Sequence, residues 1–192
     1  MTQKPNQYTS RRLVMRPFRP EDASALAKGL GDKKVADTLY HVPENDQLSD
    51  AQEYIAKCKD VPEDGHLALA INLQSAPHKL IGGFGLSVLP EEGAALIREK
   101  TKFADGPIMS IGYWVARPHW GKGYASEMLQ TMRPICSDLL NLSLLAEMVL
   151  DQNVASLRVL AKANFVNLGT VISKAAKHKG RAAHVLLWRS LL

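Results

Sequence analysis

The sequence predicts an α/β domain with one mixed β-sheet and helices on both faces. Three observations carry that prediction. Apolar residues make up 46% of the chain and charged residues 22%, ordinary proportions for a globular core. Segments of strand period alternate with segments of helical period, in the order β–α–α–β–β–β–α–β–α–β–β. The length, 192 residues, suits one domain better than two, and no repeat, low-complexity tract or linker divides it. Residues 1–10 read as a flexible polar N-terminus and residues 11–192 as the domain.

Each element has a local cause. Residues 12–16 alternate, with Leu13 and Met15 on one side, and read as a strand that Pro17 and Pro20 end. Pro20, Glu21 and Asp22 then open a helix, because proline fits the first turn and carboxylates favour the positive end of the helix dipole. A second helix is expected from Ser49 or Asp50, with Glu53 closing a capping box. Residues 66–73 and 80–88 are two strands separated by the turn-rich QSAPHK. Gly82, Gly83 and Gly85 mark a bulge or a close approach of another backbone. Residues 89–107 show no clear pattern and are expected as a long charged loop.

Strand 108–116 leads into a glycine turn. From Tyr124, residues Ala125, Met128, Leu129, Met132, Ile135, Cys136 and Leu139 recur at helical spacing. Pro134 is expected to kink this helix or end its regular part. Residues 142–150 read as a strand, 153–163 as a helix, and 166–173 and 184–189 as closing strands.

The formal charge of +5 suits an anionic ligand. Cys58 and Cys136 are isolated from each other and from histidine clusters, so neither a metal site nor a disulfide is expected. The N-terminus lacks the apolar stretch of a signal peptide, and the longest apolar run is far short of about 20 residues, so a cytoplasmic protein that spans no membrane is expected. The basic run KAAKHKGR at 174–181 has no aromatic interleaving and reads as a solvated loop, which disfavours nucleic-acid binding.

The stretch WVARPHWGKGYASEML at 114–129 points to chemistry. Glycines at 121 and 123, between a strand and a helix, leave backbone N–H groups open to an anion. A phosphate loop of the GxxxxGKS or GxxxxGKT type is excluded, because residue 116 is Ala and residue 123 is Gly. A dinucleotide turn is also excluded. Its third small position is Ser126, no acidic residue ends a following strand, and too few βα units remain.

From Ile111 onward the chain resembles the GNAT N-acetyltransferases. Their turn carries Gln or Arg, two residues, Gly, one residue, and then Gly or Ala. Here Trp120 to Ala125 match it except at the first position. IGYWVARPHWGKGYASE at 111–127 is similar to the Rim-type branch that acetylates the N-termini of ribosomal proteins. A second motif, NxxSxxxLxKxGF, stands as NVASLRVLAKANF at 153–165, with Asn164 in the glycine's place. RRLVMRPFRPEDA at 11–23 and LIGGFGL at 80–86 match the branch's first strand and third strand.

The resemblance implies a GNAT-like fold: a mostly antiparallel central sheet with one splayed parallel pair. It implies acetyl-CoA as donor and a primary amine as acceptor, with a protein N-terminal α-amine favoured and a small amine as the other possibility. The amine attacks directly within a ternary complex, without a metal. The turn Gly121, Lys122, Gly123, Tyr124, Ala125 and Ser126 would hold the pyrophosphate. The backbone of Trp114, Val115 and Ala116 would pair with the pantetheine arm, and Asn153 would contact the cofactor or cap its helix.

Many relatives have a tyrosine acid where this chain has Leu160, so Ser156 is the candidate acid. The branch often has Glu where this chain has Ser110. The base is therefore Glu147, a lone acid in an apolar strand, or His119, or water. Tyr40, His41 and Glu44 are candidate acceptor residues. Members of the branch are often dimers, and a homodimer is a further expectation. The competing reading is a GNAT module that binds CoA with little turnover and acts as a binding or regulatory protein.

Overall fold

The computed structural model describes residues 7–40, 47–58, 67–102, 106–140, 142 and 144–189, with backbone alone at 137–140. Its strands are β1 Tyr8–Thr9, β2 Leu13–Pro17, β3 Leu67–Leu73, β4 Ala76–Val88, β5 Met109–Val115, β6 Leu144–Leu150, β7 Val166–Ile172 and β8 Ala182–Arg189. The helices are α1 Ala23–Leu30, α2 Lys33–Ala36, α3 Leu48–Lys57, α4 Glu91–Thr101, α5 Tyr124–Leu140 and α6 Val154–Lys162. The strands form one open sheet in the order β1-β2-β3-β4-β5-β6-β8-β7. Neighbours are antiparallel except β5 and β6, which run parallel.

Successive side chains of a strand point to opposite faces, so each central strand feeds two layers. On one face Met109, Ile111, Leu145 and Val149 pack against Met128, Leu129 and Met132 of α5 and Leu160 of α6. On the other, Ala70 and Leu80 meet Leu26 of α1 and Ile55 of α3. Further along that same face, Ile108, Ala146 and Met148 meet Ala94 and Ile97 of α4. The two halves of this second face are separate clusters, and β5 lies between them.

The structure departs from the sequence expectations at several elements. Most of the segment 89–107 is not loop but helix α4. Pro90 precedes it, Glu91 and Glu92 occupy its first turn, and Lys102 ends it in the left-handed region at φ 54°. Only Gly93, Ala94 and Ile97 of the helix are buried, a stripe too thin to stand out among the charges. Helix α3 starts earlier than expected, with Gln47 and Asp50 forming the reciprocal cap in place of Ser49 and Glu53. Strand β4 starts at Ala76, which leaves a tight turn at Gln74 and Ser75. Tyr8 and Thr9, in the expected N-terminal tail, pair with Met15 and Val14. Helix α5 continues through Pro134 to Leu140.

Candidate active site

The glycine turn is built by backbone conformation. Gly121 and Gly123 have φ of +72° and +78°, a region costly for residues with a Cβ. A side chain at Gly121 would meet nothing within 4 Å among the described residues, so the turn is open on its outer side. The first intrahelical bond of α5 that follows runs from Glu127 N–H to Gly123 C=O at 3.0 Å. The N–H groups of Tyr124, Ala125 and Ser126 therefore lie at the positive end of the helix with no helical acceptor. Such a terminus has the geometry and polarity that suit a phosphate-like anion.

A clamp fixes the turn. Glu127 accepts from Arg12 Nε at 2.6 Å, from Arg12 N–H at 2.7 Å and from Ser10 Oγ at 2.7 Å. Arg12 also donates to the Lys122 carbonyl at 3.0 Å and covers the Tyr124 ring at 4.6 Å. Burial alone would raise the Glu127 pKa, but these hydrogen bonds and the Arg12 charge bring it below the usual range. The Lys122 side chain is exposed.

Strands β5 and β6 part before β5 reaches this turn. Among the described residues they pair at Ser110 and Ala146 and nowhere beyond. Ala116 N–H donates to Ile81 C=O at 2.8 Å, so the antiparallel ladder turns the polar backbone groups of Ala116, Trp114 and Gly112 toward β4. Those of Val115 and Tyr113 then face the fork between β5 and β6. Of the three residues expected to offer backbone to a pantetheine arm, Val115 turns its polar groups toward the fork, as Tyr113 does, whereas Trp114 and Ala116 turn theirs toward β4. The Val115 carbonyl also accepts from the Trp120 indole N–H at 2.5 Å.

Four side chains gather where the strands part. Glu147 is the first residue of β6 beyond the paired position, and its Oε2 accepts from Ser110 Oγ at 2.9 Å. Its overall exposure is intermediate, yet the carboxyl is ringed by protein. Desolvation governs its acidity and lifts the pKa to about 8, against the opposing Ser110 hydrogen bond. The carboxylate that the resemblance would place at residue 110 is thus delivered to Ser110 by the neighbouring strand.

On the α6 side, Ser156 Oγ lies 2.8 Å from Tyr113 Oη. Burial pushes the Tyr113 hydroxyl up; the Ser156 contact lowers it and the nearby Glu147 raises it further, so it stays protonated. Asn153 caps α6, accepting from Ser156 N–H at 3.1 Å, and its Nδ2 reaches Thr38 C=O at 3.4 Å. Asn164, in the motif's glycine position, has φ of 64°, a conformation that Asn tolerates.

An open anion-binding turn and a forked parallel pair with a high-pKa carboxyl fit one family, and a family match decides it: the acetyltransferase (GNAT) domain matches residues 12–166. The chain belongs to the GNAT acetyltransferase family. An uncharacterized N-acetyltransferase p20 of Bacillus licheniformis is 27% identical over 184 residues, 96% of this chain and 94% of that one. Among solved structures, RimJ of Mycobacterium smegmatis, in complex with a CoA disulfide, is similar with a TM-score of 0.74 and 18% identity, over 96% of this chain and 87% of that one. RimL, a ribosomal-protein α-N-acetyltransferase in complex with coenzyme A, gives 0.73 and 15%, over 95% and 96%.

The remaining candidates of this GNAT acetyltransferase fall elsewhere. His119 lies in the 3-10 turn Arg117–His119, past the far end of β5 from Ser110. Burial and then Lys122 and Lys79 lower its pKa. Five residue steps along the strand separate Ser110 from Val115, roughly 16 Å, so His119 belongs to the turn and not to the Ser110 end of the fork. Leu160 is in the core. Tyr40 donates to Glu92 Oε1 at 3.0 Å and accepts from Ser173 Oγ at 2.5 Å, which ties it to α4 and to the β7–β8 connection. His41 and Glu44 lie outside the described residues.

Part of the basic run turns inward. Lys177 Nζ donates to Ala36 C=O at 2.8 Å, and buried His178 meets Leu39 C=O at 3.0 Å. Among the described residues, no cluster of three or more His, Cys, Asp or Glu suits a metal, and no helix is long and apolar enough to cross a membrane.

Sequence reasoning missed Tyr113. Its only signal was its place in IGYW, one strand position before the expected pantetheine residues. Its contact with Ser156 spans 43 residues and depends on how α6 docks.

Proposed function

We propose that this GNAT acetyltransferase moves the acetyl group of acetyl-CoA to a primary amine, favouring the α-amine of a protein N-terminus. The observation that carries this reading is the Ser110–Glu147 pair at the fork, in line with the open turn. The turn's conformation supports the donor assignment: Gly121 and Gly123 take φ values that bring bare backbone outward, and the free N–H groups of Tyr124 to Ser126 suit a pyrophosphate. The outward backbone of Val115 and Tyr113 suits the amides of a pantetheine arm. Acetyl-CoA supplies the activated thioester.

The residues divide the work. The neutral amine nitrogen attacks the thioester carbonyl carbon, the C–S bond breaks, and the leaving sulfur takes a proton. Glu147, in its ionised form, accepts the proton that the nitrogen sheds as its new bond forms. Ser156 gives its hydroxyl proton to the leaving sulfur, and the Tyr113 hydroxyl hydrogen-bonds to the serine oxygen and stays neutral. The proton collected by Glu147 returns to Ser156 through solvent before the next turnover. The Tyr113 N–H faces the fork, where a carbonyl oxygen gaining charge needs a donor. The α-amine preference draws support from the overall likeness to RimL and RimJ, and from an acceptor side framed by α1, α3 and α4.

The test is thiol release from acetyl-CoA across peptides with free N-termini and small amines, beside calorimetric titration with acetyl-CoA. Amine-dependent thiol release supports the reading. Tight binding without turnover on any amine would favour the CoA-binding module instead.

A further inference from the structure

Gly112 occupies the middle of β5, a central strand of the eight, and yet it is exposed. A side chain built there would meet nothing within 4 Å among the described residues. Helix packing explains the space. Gly112 lies two residues from both Ser110 and Trp114, so it points to the face that carries α1, α3 and α4. There α1 packs on β4, and α4 packs on β7 and β8, which among the described residues leaves a strip over β5 uncovered.

The strip has defined ends. At one end the Trp114 ring is fixed against Gly29 of α1 and Gly83 of β4, so tightly that a Cβ on either glycine would collide with it. At the other stands Ser110, whose hydroxyl donates to the Glu147 carboxyl that reaches it through the fork from the α5 face. Gly85 is the register partner of Gly112, so the floor between these ends is two glycines wide. The anion-binding turn lies beyond the far end of β5, and the backbone that suits the donor points sideways into the fork. The space above Gly112 is separate from both and ends at Ser110, whose hydroxyl lies 2.9 Å from the carboxyl that accepts the amine's proton.

We propose that Gly112 is the acceptor-selecting position: the space above it receives the substituents on the carbon next to the attacking nitrogen. This inference rests on the amine-acetylation reading above. It names the acceptor class as amines whose neighbouring carbon is branched, as at a peptide N-terminus that bears a side chain. An amine on an unbranched carbon, such as an N-terminal glycine, does not need the room.

Gly112→Ala and Gly112→Val test this, because the backbone there is not left-handed and an added Cβ meets nothing within 4 Å among the described residues. Thermal midpoints are expected to stay equal or rise, and the acetyl-CoA Kd to stay within about twofold. For peptides starting with Ser or Ala, kcat/KM should fall about tenfold or more in Gly112→Ala and further in Gly112→Val. A glycine-initiated peptide should lose far less. A conjugate joining the CoA sulfur through a CH2–CO linker to the α-nitrogen of a Ser-initiated peptide should bind the variants more weakly, while CoA alone should not.

Equal losses for all acceptors, or an unchanged profile in Gly112→Val, would overturn the assignment. A loss of CoA affinity would give the space to the donor and overturn it too. Wild-type protein that binds acetyl-CoA but acetylates no amine would instead refute the underlying reading, before any variant is made.

Discussion

Replacing Glu147 with Gln should change the order of the pH dependence as well as the rate. Two groups must lose a proton before the reaction as derived above: Glu147, raised to about 8, and the acceptor α-amine, at roughly 7.7–8.0. Between pH 6 and pH 8 the ionised fraction of Glu147 alone rises about fiftyfold, from about one part in a hundred to one half. Well below pH 8 the two titrations multiply, so log kcat/KM should climb with a slope near 2. Glu147→Gln leaves only the amine, so the slope should fall to about 1 and the plateau should drop by roughly 10²–10⁴. Thiol release from acetyl-CoA with a Ser-initiated peptide reads both quantities. A wild-type slope of 1, or a slope that survives the substitution, would refute Glu147 as the base. The same shift sets a stability trend. The folded pKa lies above the ordinary 4.5, so the group's contribution is complete below that value and is lost as pH rises through about 8. Denaturant midpoints of Glu147→Gln should lack that fall.

Gly123→Val forces a branched residue to φ +78° at a cost of about 1–3 kcal/mol, while among the described residues its Cβ meets only Arg12 Nη2 at an ordinary 3.6 Å. The variant should fold, by circular dichroism, and lose acetyl-CoA binding by calorimetry. Ser156→Ala and Tyr113→Phe should lower kcat by about tenfold or more and leave the acetyl-CoA Kd nearly unchanged, which steady-state kinetics and titration separate. Glu127 has a lowered pKa, so its stabilising contribution is present above the ordinary carboxylate range and lost as pH falls through the lowered value. Glu127→Gln should flatten the acid side of a denaturation series. Gly83→Ala would set a Cβ 2.5 Å from Trp114 Nε1, and a crowding cost of about 1–3 kcal/mol should show as a lower thermal midpoint.

What could be read from the sequence was local. The strand, glycine turn and helix at 108–140 announce themselves because positive φ at Gly121 and Gly123 and the period of Met128, Leu129 and Met132 are encoded over short distances. Glu147 stood out as one acid in an apolar strand. Its partner did not, because Ser110 meets it across 37 residues through the pairing of β5 with β6. The division between Val115, which faces the fork, and Trp114 and Ala116, which do not, follows from the register with β4 and no propensity carries it. Helix α4 escaped notice because its charged surface outweighs the few residues it buries. Gly112 read as one small residue in a strand, and its meaning depends on where α1 and α4 settle.

The most direct test of the central claim is a mass measurement on a peptide with a free α-amine, incubated with acetyl-CoA and either wild-type protein or Gly123→Val. The account predicts one acetyl group on the α-nitrogen with wild-type protein and none with the folded variant. An unmodified peptide, although wild-type protein binds acetyl-CoA, would contradict it, and so would equal acetylation by the two proteins.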